Sequence, residues 1–248
     1  MIAALAEINL ARTVIRRFEL SPPIDVALVA ARYANIEYRT IPFRVDGICL
    51  NLKRVGVRPT IIINSDRPLL RRRFTLAHEL GHLLAGDDQG VHLDKDVYDR
   101  AQAKDPSEMR ANGFASAFLM PEGILRSAAG TAGLDEKTFA ALSCDLQVSP
   151  SALAIRLQQL RLIAAGTCDR FKKVTAARAA TLASRGEEFA RRVADAGTPR
   201  PPGLLVRDAY LAYESGATTL RPYASLLGVD VDELRQALEA EEGVPGAL

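Results

Sequence analysis

The residues of this chain best suited to chemistry form the pentapeptide His-Glu-Leu-Gly-His at positions 78–82. His78 and His82 are four residues apart, so on a helix both imidazoles project from one face and can bind one metal ion. Glu79 lies next to His78, where its carboxylate can hydrogen-bond a water molecule at the metal and take its proton. Metal, water and base together can hydrolyse an amide bond. The pattern therefore predicts metal-dependent hydrolysis with Glu79 as the general base.

The flanking residues predict that a helix, from about Arg72 to Gly86, positions this motif. Leucines recur around it at helical spacing, and two of the three histidines of the chain lie within it. Gly81 costs about 1 kcal/mol relative to alanine inside a helix. We infer from that cost that a neighbouring element or a ligand needs the space beside Gly81.

Three strands should precede the metal helix, at 36–43, 48–52 and 59–64. Asp46-Gly47 is a dipeptide typical of tight hairpin turns, so the first two strands should form a hairpin. The strand at 59–64 is predicted to be an exposed edge that pairs with an extended substrate. Residues 87–104 are polar without apolar periodicity, which predicts a loop over the site.

The remainder of the chain is predicted to be helical. A helix should run from Pro106 to Leu119, and residues 136–145 and 150–162 resemble a helix-turn-helix with Ser149 as an N-cap. Further helices are expected at 172–196 and 204–215, with a break at Gly197–Gly203, and residues 219–240 form a second helix-turn-helix-like segment. The domain organisation expected from these patterns is a peptidase domain at 1–130, a helix-turn-helix-like segment at 131–170 and a helical accessory region at 171–248.

A catalytic zinc ion usually has three protein ligands and a water molecule, and the sequence offers three candidates for the third ligand. Glu108 begins the next helix, although Asp105-Pro106-Ser107-Glu108 also fits a capping box in which Glu108 bonds the Asp105 amide. Asp88 follows His82 by six residues, and His92 is the remaining histidine. The residues alone leave this choice open.

Composition and charge exclude several classes of protein. No apolar run reaches the ~18 residues of a membrane span, and the N-terminal segment has its basic residues after its apolar stretch, unlike a signal peptide. A cytoplasmic protein is therefore expected. The three cysteines are far apart and predict neither a disulfide framework nor a zinc ribbon. The net charge of +2 does not indicate nucleic-acid binding.

A longer pattern carries a family resemblance. It consists of residues 74–82 (FTLAHELGH), Glu108, and 111–121 (ANGFASAFLMP), followed by 142–163 (LSCDLQVSPSALAIRLQQLRLI). Together these segments resemble the ImmA/IrrE metallopeptidases, over about residues 20–165.

The resemblance implies an α+β fold of the zincin, gluzincin-like type, with a small antiparallel sheet and a helix carrying the HExxH motif. It implies a metal ion held by His78, His82 and Glu108, with Glu79 as general base. The ion is expected to be Zn²⁺, although Mn²⁺ could occupy the same ligands. The implied substrate is a helix-turn-helix transcriptional repressor, often the product of an adjacent gene, whose cleavage induces stress, DNA-damage or mobile-element genes in bacteria.

Peptide hydrolysis also needs a group that stabilises the oxyanion. Tyr98, His92 and Arg72 are the candidates, and the sequence does not choose among them. The competing hypothesis is a DNA-binding regulator with a structural or vestigial metal site, based on the two helix-turn-helix-like segments. A structural zinc site normally has four protein ligands and no use for a base such as Glu79. The oligomeric state is not predicted by any pattern in the chain.

Overall fold

The computed structural model describes residues 3–41, 45–51, 57–87, 91–94, 105–130, 133–197 and 203–242. The chain forms two compact units, Met1–Thr198 and Pro199–Leu248. This division falls within the predicted break at 197–203, whereas the boundaries expected at 130 and 170 lie inside the first unit. The physical reason is that helices after residue 170 pack against helices before it.

The first half of the first unit contains the sheet and the helices that surround it. Its elements are α1 (Ala3–Arg17), α2 (Val26–Ala30), β1 (Asn35–Arg39), β2 (Gly47–Leu50), β3 (Thr60–Asn64), α3 (Leu69–Ala85), β4 (Val91–Asp94), α4 (Pro106–Leu119) and α5 (Glu122–Ala129). The helix of the His-Glu-Leu-Gly-His motif and the helix from Pro106 to Leu119 are thus confirmed.

The described residues form a sheet of four strands in the order β1-β3-β2-β4. The β1–β3 pair is parallel, and β2 is antiparallel to both β3 and β4. The sheet is therefore mixed, so the expectation of an antiparallel sheet was wrong for β1. The strand predicted at the edge, 59–64, corresponds to β3, which lies inside the sheet. Since both of its sides are already paired, β3 cannot accept a substrate strand.

The predicted hairpin at Asp46-Gly47 was also wrong. The two strands that it should join, β1 and β2, lie on opposite sides of β3, and Gly47 is the first residue of β2. Asp46 is fully buried and forms ion pairs with Arg67 and Arg71, while its carbonyl accepts a hydrogen bond from the Asn64 amide. Those tertiary contacts override the local preference of the dipeptide for a turn. The structure likewise has β4 within the predicted loop at 87–104.

Helix α3 packs closely against α4 at Gly81. A Cβ atom added to Gly81 would lie 3.0 Å from Phe114 Cδ1 and 3.2 Å from Ala111 Cα. The ring of Phe114 in turn stacks on Phe118, with centroids 5.3 Å apart, and both rings are buried. The expectation that a neighbouring element needs the space beside Gly81 is therefore confirmed.

The second half of the first unit is a layer of short helices. They are α6 (Glu136–Leu146), α7 (Pro150–Gln159), α8 (Ala165–Phe171), α9 (Ala176–Leu182) and α10 (Gly186–Gly197). The Ser149 hydroxyl caps α7 by accepting from the Ala152 amide, as predicted. The prediction of a single helix at 172–196 was wrong. Thr175 is the N-cap of a new helix, α9, and Ser184, which has a left-handed φ of 57°, lies between α9 and α10.

The second unit contains α11 (Gly203–Glu214), α12 (Arg221–Leu227) and α13 (Val231–Glu242). Leu220 and Ala224 are its buried residues among those described, and the Tyr210 and Tyr223 rings pack 5.3 Å apart. Among the described residues of either unit, the helices are too short or too polar to cross a lipid bilayer.

Candidate metal centre

Three side chains from two helices converge at one buried point. His78 and His82 come from α3, four residues apart, and Glu108 comes from the first turn of α4. The two Nε2 atoms are 3.0 Å apart, and the Glu108 oxygens lie 3.3 Å from His78 Nε2 and 3.4 Å from His82 Nε2. All three residues are at most 6% exposed. Burial of this kind is rare for polar groups unless they are paired or bind a metal.

The first-turn position of Glu108 results from the way α4 begins. The Asp105 side chain caps the helix by accepting from the Ser107 amide and hydroxyl, and Pro106 occupies the first turn. The cap is therefore made by Asp105 and Ser107, and the Glu108 carboxylate points at the histidines rather than back at the Asp105 amide. Glu108 is the candidate that the structure brings to His78 and His82.

A hydrogen bond on its far side orients His78. Its Nδ1 lies 3.1 Å from the amide oxygen of Asn112, one turn after Glu108 on α4. An oxygen can only accept, so the ring proton lies on Nδ1 and the Nε2 lone pair faces the centre of the cluster. Glu108 and Asn112 thus serve the same site from one face of the same helix.

His82 is oriented in the same way by a carboxylate. Its Nδ1 is 2.9 Å from Asp87 Oδ2, and the other oxygen of Asp87 is 2.6 Å from an Arg110 Nη2. Carboxylate-histidine pairs of this kind orient metal-binding histidines and increase their basicity. The hydrogen bonds that join Arg110 to Asp87 and Asp87 to His82 thus link α4 to the end of α3, in addition to the contacts of Glu108 and Asn112 with the histidines.

The electrostatics of the cluster follow from these contacts. Burial lowers the pKa of His82, but hydrogen bonds to Glu108 and Asp87 outweigh it and raise the pKa above its ordinary value of 6.5. Partial burial raises the pKa of Asp87, yet hydrogen bonds from Arg110 and His82 hold it below its usual range. Asp87 is therefore ionised at neutral pH and favours positive charge at the site.

The donor set fits a divalent metal ion. The three ligand atoms lie within 4.8 Å of one another, and two ligands about 2.1 Å from a tetrahedral zinc ion lie about 3.4 Å apart. The distances of 3.3 Å and 3.4 Å, each to a different Glu108 oxygen, are close to that separation, and the two Nε2 atoms are somewhat closer together at 3.0 Å. Two neutral imidazoles and one carboxylate also leave a fourth tetrahedral position for a reactant. The three residues would thus hold the ion and leave one position open.

Glu79 is fully buried and faces β2. Its carboxylate lies beside the backbone of Gly47. Burial, and to a lesser extent the negative charge of Glu79, raise the pKa of the Cys49 thiol to about 12. In the metal-free protein Cys49 is therefore a neutral thiol at neutral pH.

The other residues named from the sequence have different positions. Asp88 and Tyr98 lie outside the described residues. His92 belongs to β4, where it is in register with Cys49 of β2. Arg72 donates to the carbonyls of Arg67 and Ala196, so it connects the start of α3 to the end of α10. The oxyanion role expected of Arg72 stays a prediction.

Sequence reasoning missed Asn112, Asp87 and Arg110, which surround the cluster, and Gly47, which lies beside Glu79. Helical spacing could have found Asn112, because it lies four residues after Glu108. The contact of Asp87 with His82 depends on how α3 ends, with Gly86 in a left-handed conformation. No local pattern distinguishes that geometry from an ordinary helix end.

Comparison with known proteins agrees with this geometry. The family model described as IrrE N-terminal-like domain (Peptidase_M78) matches residues 31–158. Two curated relatives are both named radiation response metalloprotease IrrE. The protein of Deinococcus radiodurans is 35% identical over 100 residues, which is 40% of this chain and 30% of that protein. The protein of Deinococcus deserti is 30% identical over 158 residues, 56% of each chain.

The matched segments thus span about a third to just over half of the length of these relatives. The family model, in contrast, covers more than half of this chain, and its range includes β1 to β4, the metal cluster and most of α7. This chain belongs to the IrrE N-terminal-like peptidase family.

Proposed function

We propose that this protein is a metal-dependent endopeptidase of the zincin type. The observation that carries the proposal is the convergence of His78, His82 and Glu108 at one buried point, with Glu79 next to His78 on the same helix. Zn²⁺ is the ion that this mixed nitrogen and oxygen set favours, and Mn²⁺ is the alternative.

A Zn²⁺ ion in this position would polarise the scissile carbonyl and lower the pKa of a water molecule. Glu79 takes the proton of that water as it attacks the carbonyl carbon, and then delivers the proton to the leaving amine. Asn112 and Asp87 keep the two imidazoles in the orientation that presents Nε2. The arrangement can therefore cleave a peptide bond without a covalent enzyme intermediate.

The substrate strand is proposed to pair with β4. Among the strands that the structure describes, β4 is at an edge of the sheet, and it neighbours β2, whose Gly47 lies beside Glu79. Asp94 of β4 is in register with Gly47. An extended peptide added along β4 would thus pass near the general base, with main-chain hydrogen bonds supplying affinity.

The proposed substrate is a helix-turn-helix transcriptional repressor, with the product of an adjacent gene as the first candidate. Support comes from the family and from relatives named for the radiation response. Cleavage would then induce stress or DNA-damage genes. A cytoplasmic location follows from such a substrate.

Co-expression with the neighbouring regulator tests this proposal. Mass spectrometry of the regulator should find two complementary fragments in cells with the wild-type chain, and the intact regulator in cells with His78→Ala. An intact regulator in both would exclude it as the substrate.

The rival function is a DNA-binding regulator, in which α6 and α7 form a helix-turn-helix and the metal is structural. Among the described residues the metal cluster has three members rather than four, which favours a catalytic site. A mobility shift with the purified protein and its upstream DNA separates the two functions. Binding that persists in high salt, together with no peptidase activity, would favour the regulator.

A further inference from the structure

Gly47, the first residue of β2, lies very close to α3, the helix that carries the His-Glu-Leu-Gly-His motif. A Cβ atom built on Gly47 would lie 2.7 Å from Thr75 Cγ2 and 3.0 Å from Glu79 Oε1, with Glu79 Cγ at 3.4 Å. Carbon atoms in van der Waals contact are about 3.5–4.0 Å apart. The space that a side chain would fill at position 47 is thus already occupied by α3.

Position 47 requires glycine because there is no space for a side chain, and not because of its backbone conformation. Gly47 is not among the glycines with a positive φ, so its conformation is one that other residues adopt readily. It begins a strand, where glycine weakens pairing and often marks a close approach of another group. That group is the α3 turn that carries Thr75 and Glu79.

The separation between β2 and α3 is fixed by the preceding residue. Asp46 is 0% exposed, and its carboxylate is 2.6 Å from Arg67 Nε and 2.5 Å from Arg71 Nη2. Arg67 lies two residues before the start of α3, and Arg71 lies in its first turn. Breaking a buried ion pair of this kind is costly, so β2 cannot move away from α3 to make room for a side chain at 47.

Of the two neighbours, Glu79 is the one that can move. Thr75 is β-branched and buried in a helix, which restricts its χ1 angle, whereas the Glu79 carboxylate is the far end of a longer side chain. Any atom added at position 47 would therefore displace the Glu79 carboxylate. The three atoms nearest to that position belong to Thr75 and Glu79, not to the ligands His78, His82 and Glu108.

We propose that Gly47 is a positioning residue for the general base: its missing side chain leaves the place in which the Glu79 carboxylate is held for proton transfer. The inference rests on the proposed peptidase function. A displacement of about 1 Å is enough to lower a rate about 10²-fold.

The kinetic test compares Thr75→Ser with the double variant Gly47→Ala/Thr75→Ser. Serine lacks Cγ2, so the double variant retains only the conflict with Glu79. The substrate is the peptide that the zinc-loaded wild type cleaves fastest in a proteome-derived peptide pool. We expect kcat of the double variant to fall about 10²-fold below that of Thr75→Ser, with KM within threefold and one zinc ion still bound. Equal kcat in the two variants would overturn the proposal.

A stability cycle tests the same contact without metal or substrate. Gly47→Ala should lower the Tm of the metal-free protein, and it should lower it less in the Glu79→Ala background, because the conflicting carboxylate is gone. Gly123→Ala is the control, since a Cβ there meets no atom within 4 Å. Equal Tm losses in the two backgrounds would show that Glu79 is not the neighbour and would overturn the proposal.

The two arms separate the possible failures. Coupling in the stability cycle together with a wild type that cleaves no peptide would overturn the peptidase function and leave the contact established. Cleavage by the wild type without coupling would overturn the role of Gly47 and leave the peptidase function standing.

Discussion

The two histidines of the cluster can bind one metal ion because each of them presents its Nε2 atom to the same point. Hydrogen bonds to Asn112 and Asp87 occupy both Nδ1 atoms, so both Nε2 lone pairs point at one place. Without those partners each imidazole could rotate or exchange its proton between nitrogens, and the spacing of His78 and His82 would not by itself define a site.

Zinc-loaded protein should have His78 Nε2, His82 Nε2 and a Glu108 oxygen about 2.0–2.2 Å from one ion. The structure already brings these atoms together, so only small movements are needed to reach that distance. A crystal structure with zinc measures this directly. An ion bound by Asp88 or His92, with Glu108 turned to the Asp105 amide, would contradict the assignment.

Asp87→Asn should weaken zinc binding about 10–100-fold, the range measured for residues that orient metal ligands. It should also change the pH dependence. Zinc requires neutral His82, so affinity falls as the pH decreases through the raised pKa of this residue. The raised pKa stabilises the metal-free protein below pH 6.5, and this contribution is lost as the pH rises through the folded-state value.

A neutral asparagine cannot raise the pKa of His82 as a carboxylate does, so the loss of zinc in Asp87→Asn should begin at lower pH than in the wild type. Zinc titration against a competing chelator from pH 5 to 8 measures both effects. Asp169→Asn, at an exposed position, is the control and should behave as the wild type. Identical titrations for all three proteins would exclude a role for Asp87.

How well the sequence predicted the role of each residue depended on whether its contacts are local or come from distant parts of the chain. Helical spacing alone placed His78, Glu79 and His82 on one turn of α3. It could not rank Glu108 against Asp88 and His92, because that choice depends on which helix packs against α3. The roles of Asp87 and Gly47 depend on long-range packing that the sequence does not express locally.

At the scale of elements, the metal site is a property of the contact between α3 and α4. Gly81 lets the helices approach, since a Cβ there would lie 3.2 Å from the α4 backbone at Ala111. Because Glu108 and Asn112 are on α4, any widening of this contact would withdraw both from the histidines.

Gly81→Ala should therefore lower both zinc affinity and stability, although alanine alone would favour the helix by about 1 kcal/mol. Gly113→Ala is a matched control in α4, where the added Cβ meets Glu7 Cβ at an ordinary 3.6 Å, and it should be neutral or stabilising. Urea unfolding of the metal-free proteins and zinc titration provide the two measurements. A stabilised Gly81→Ala would show that the close approach is unimportant.

Helices were more predictable than strands. The bounds of α4 follow from Asp105-Pro106 and Pro121, which are local signals. Strand partners are set by distant contacts, so the hairpin expected at Asp46-Gly47 was wrong once Asp46 was paired with Arg67 and Arg71. The residues from 172 to 196 have helical composition throughout, and composition does not reveal the left-handed Ser184 that separates α9 from α10.

At the scale of the whole molecule, the structure changes where an accessory region should begin. Arg72 of α3 donates to the Ala196 carbonyl of α10, and α9 packs against α6. Removing everything after residue 170 would thus cut into the first compact unit. A boundary at Thr198 follows the division of the chain instead.

A chain ended after Thr198 should bind zinc and cleave a short peptide of the cleavage site as the full chain does. If residues 199–248 help to recruit the repressor, the shortened chain should cleave the intact repressor more slowly. Parallel rate measurements on the two substrates test this. Equal rates on both would show that the second unit has no part in recruitment.

The central claim is that the buried cluster performs metal-dependent peptide hydrolysis with Glu79 as the base. The most direct test compares zinc-loaded wild type and Glu79→Gln, with zinc content and the rate of new N-termini measured on one peptide pool. The glutamine amide cannot accept the proton, so the variant should keep one zinc ion and lose about 10²–10⁴-fold in rate. A variant that cleaves as fast as the wild type would contradict the account.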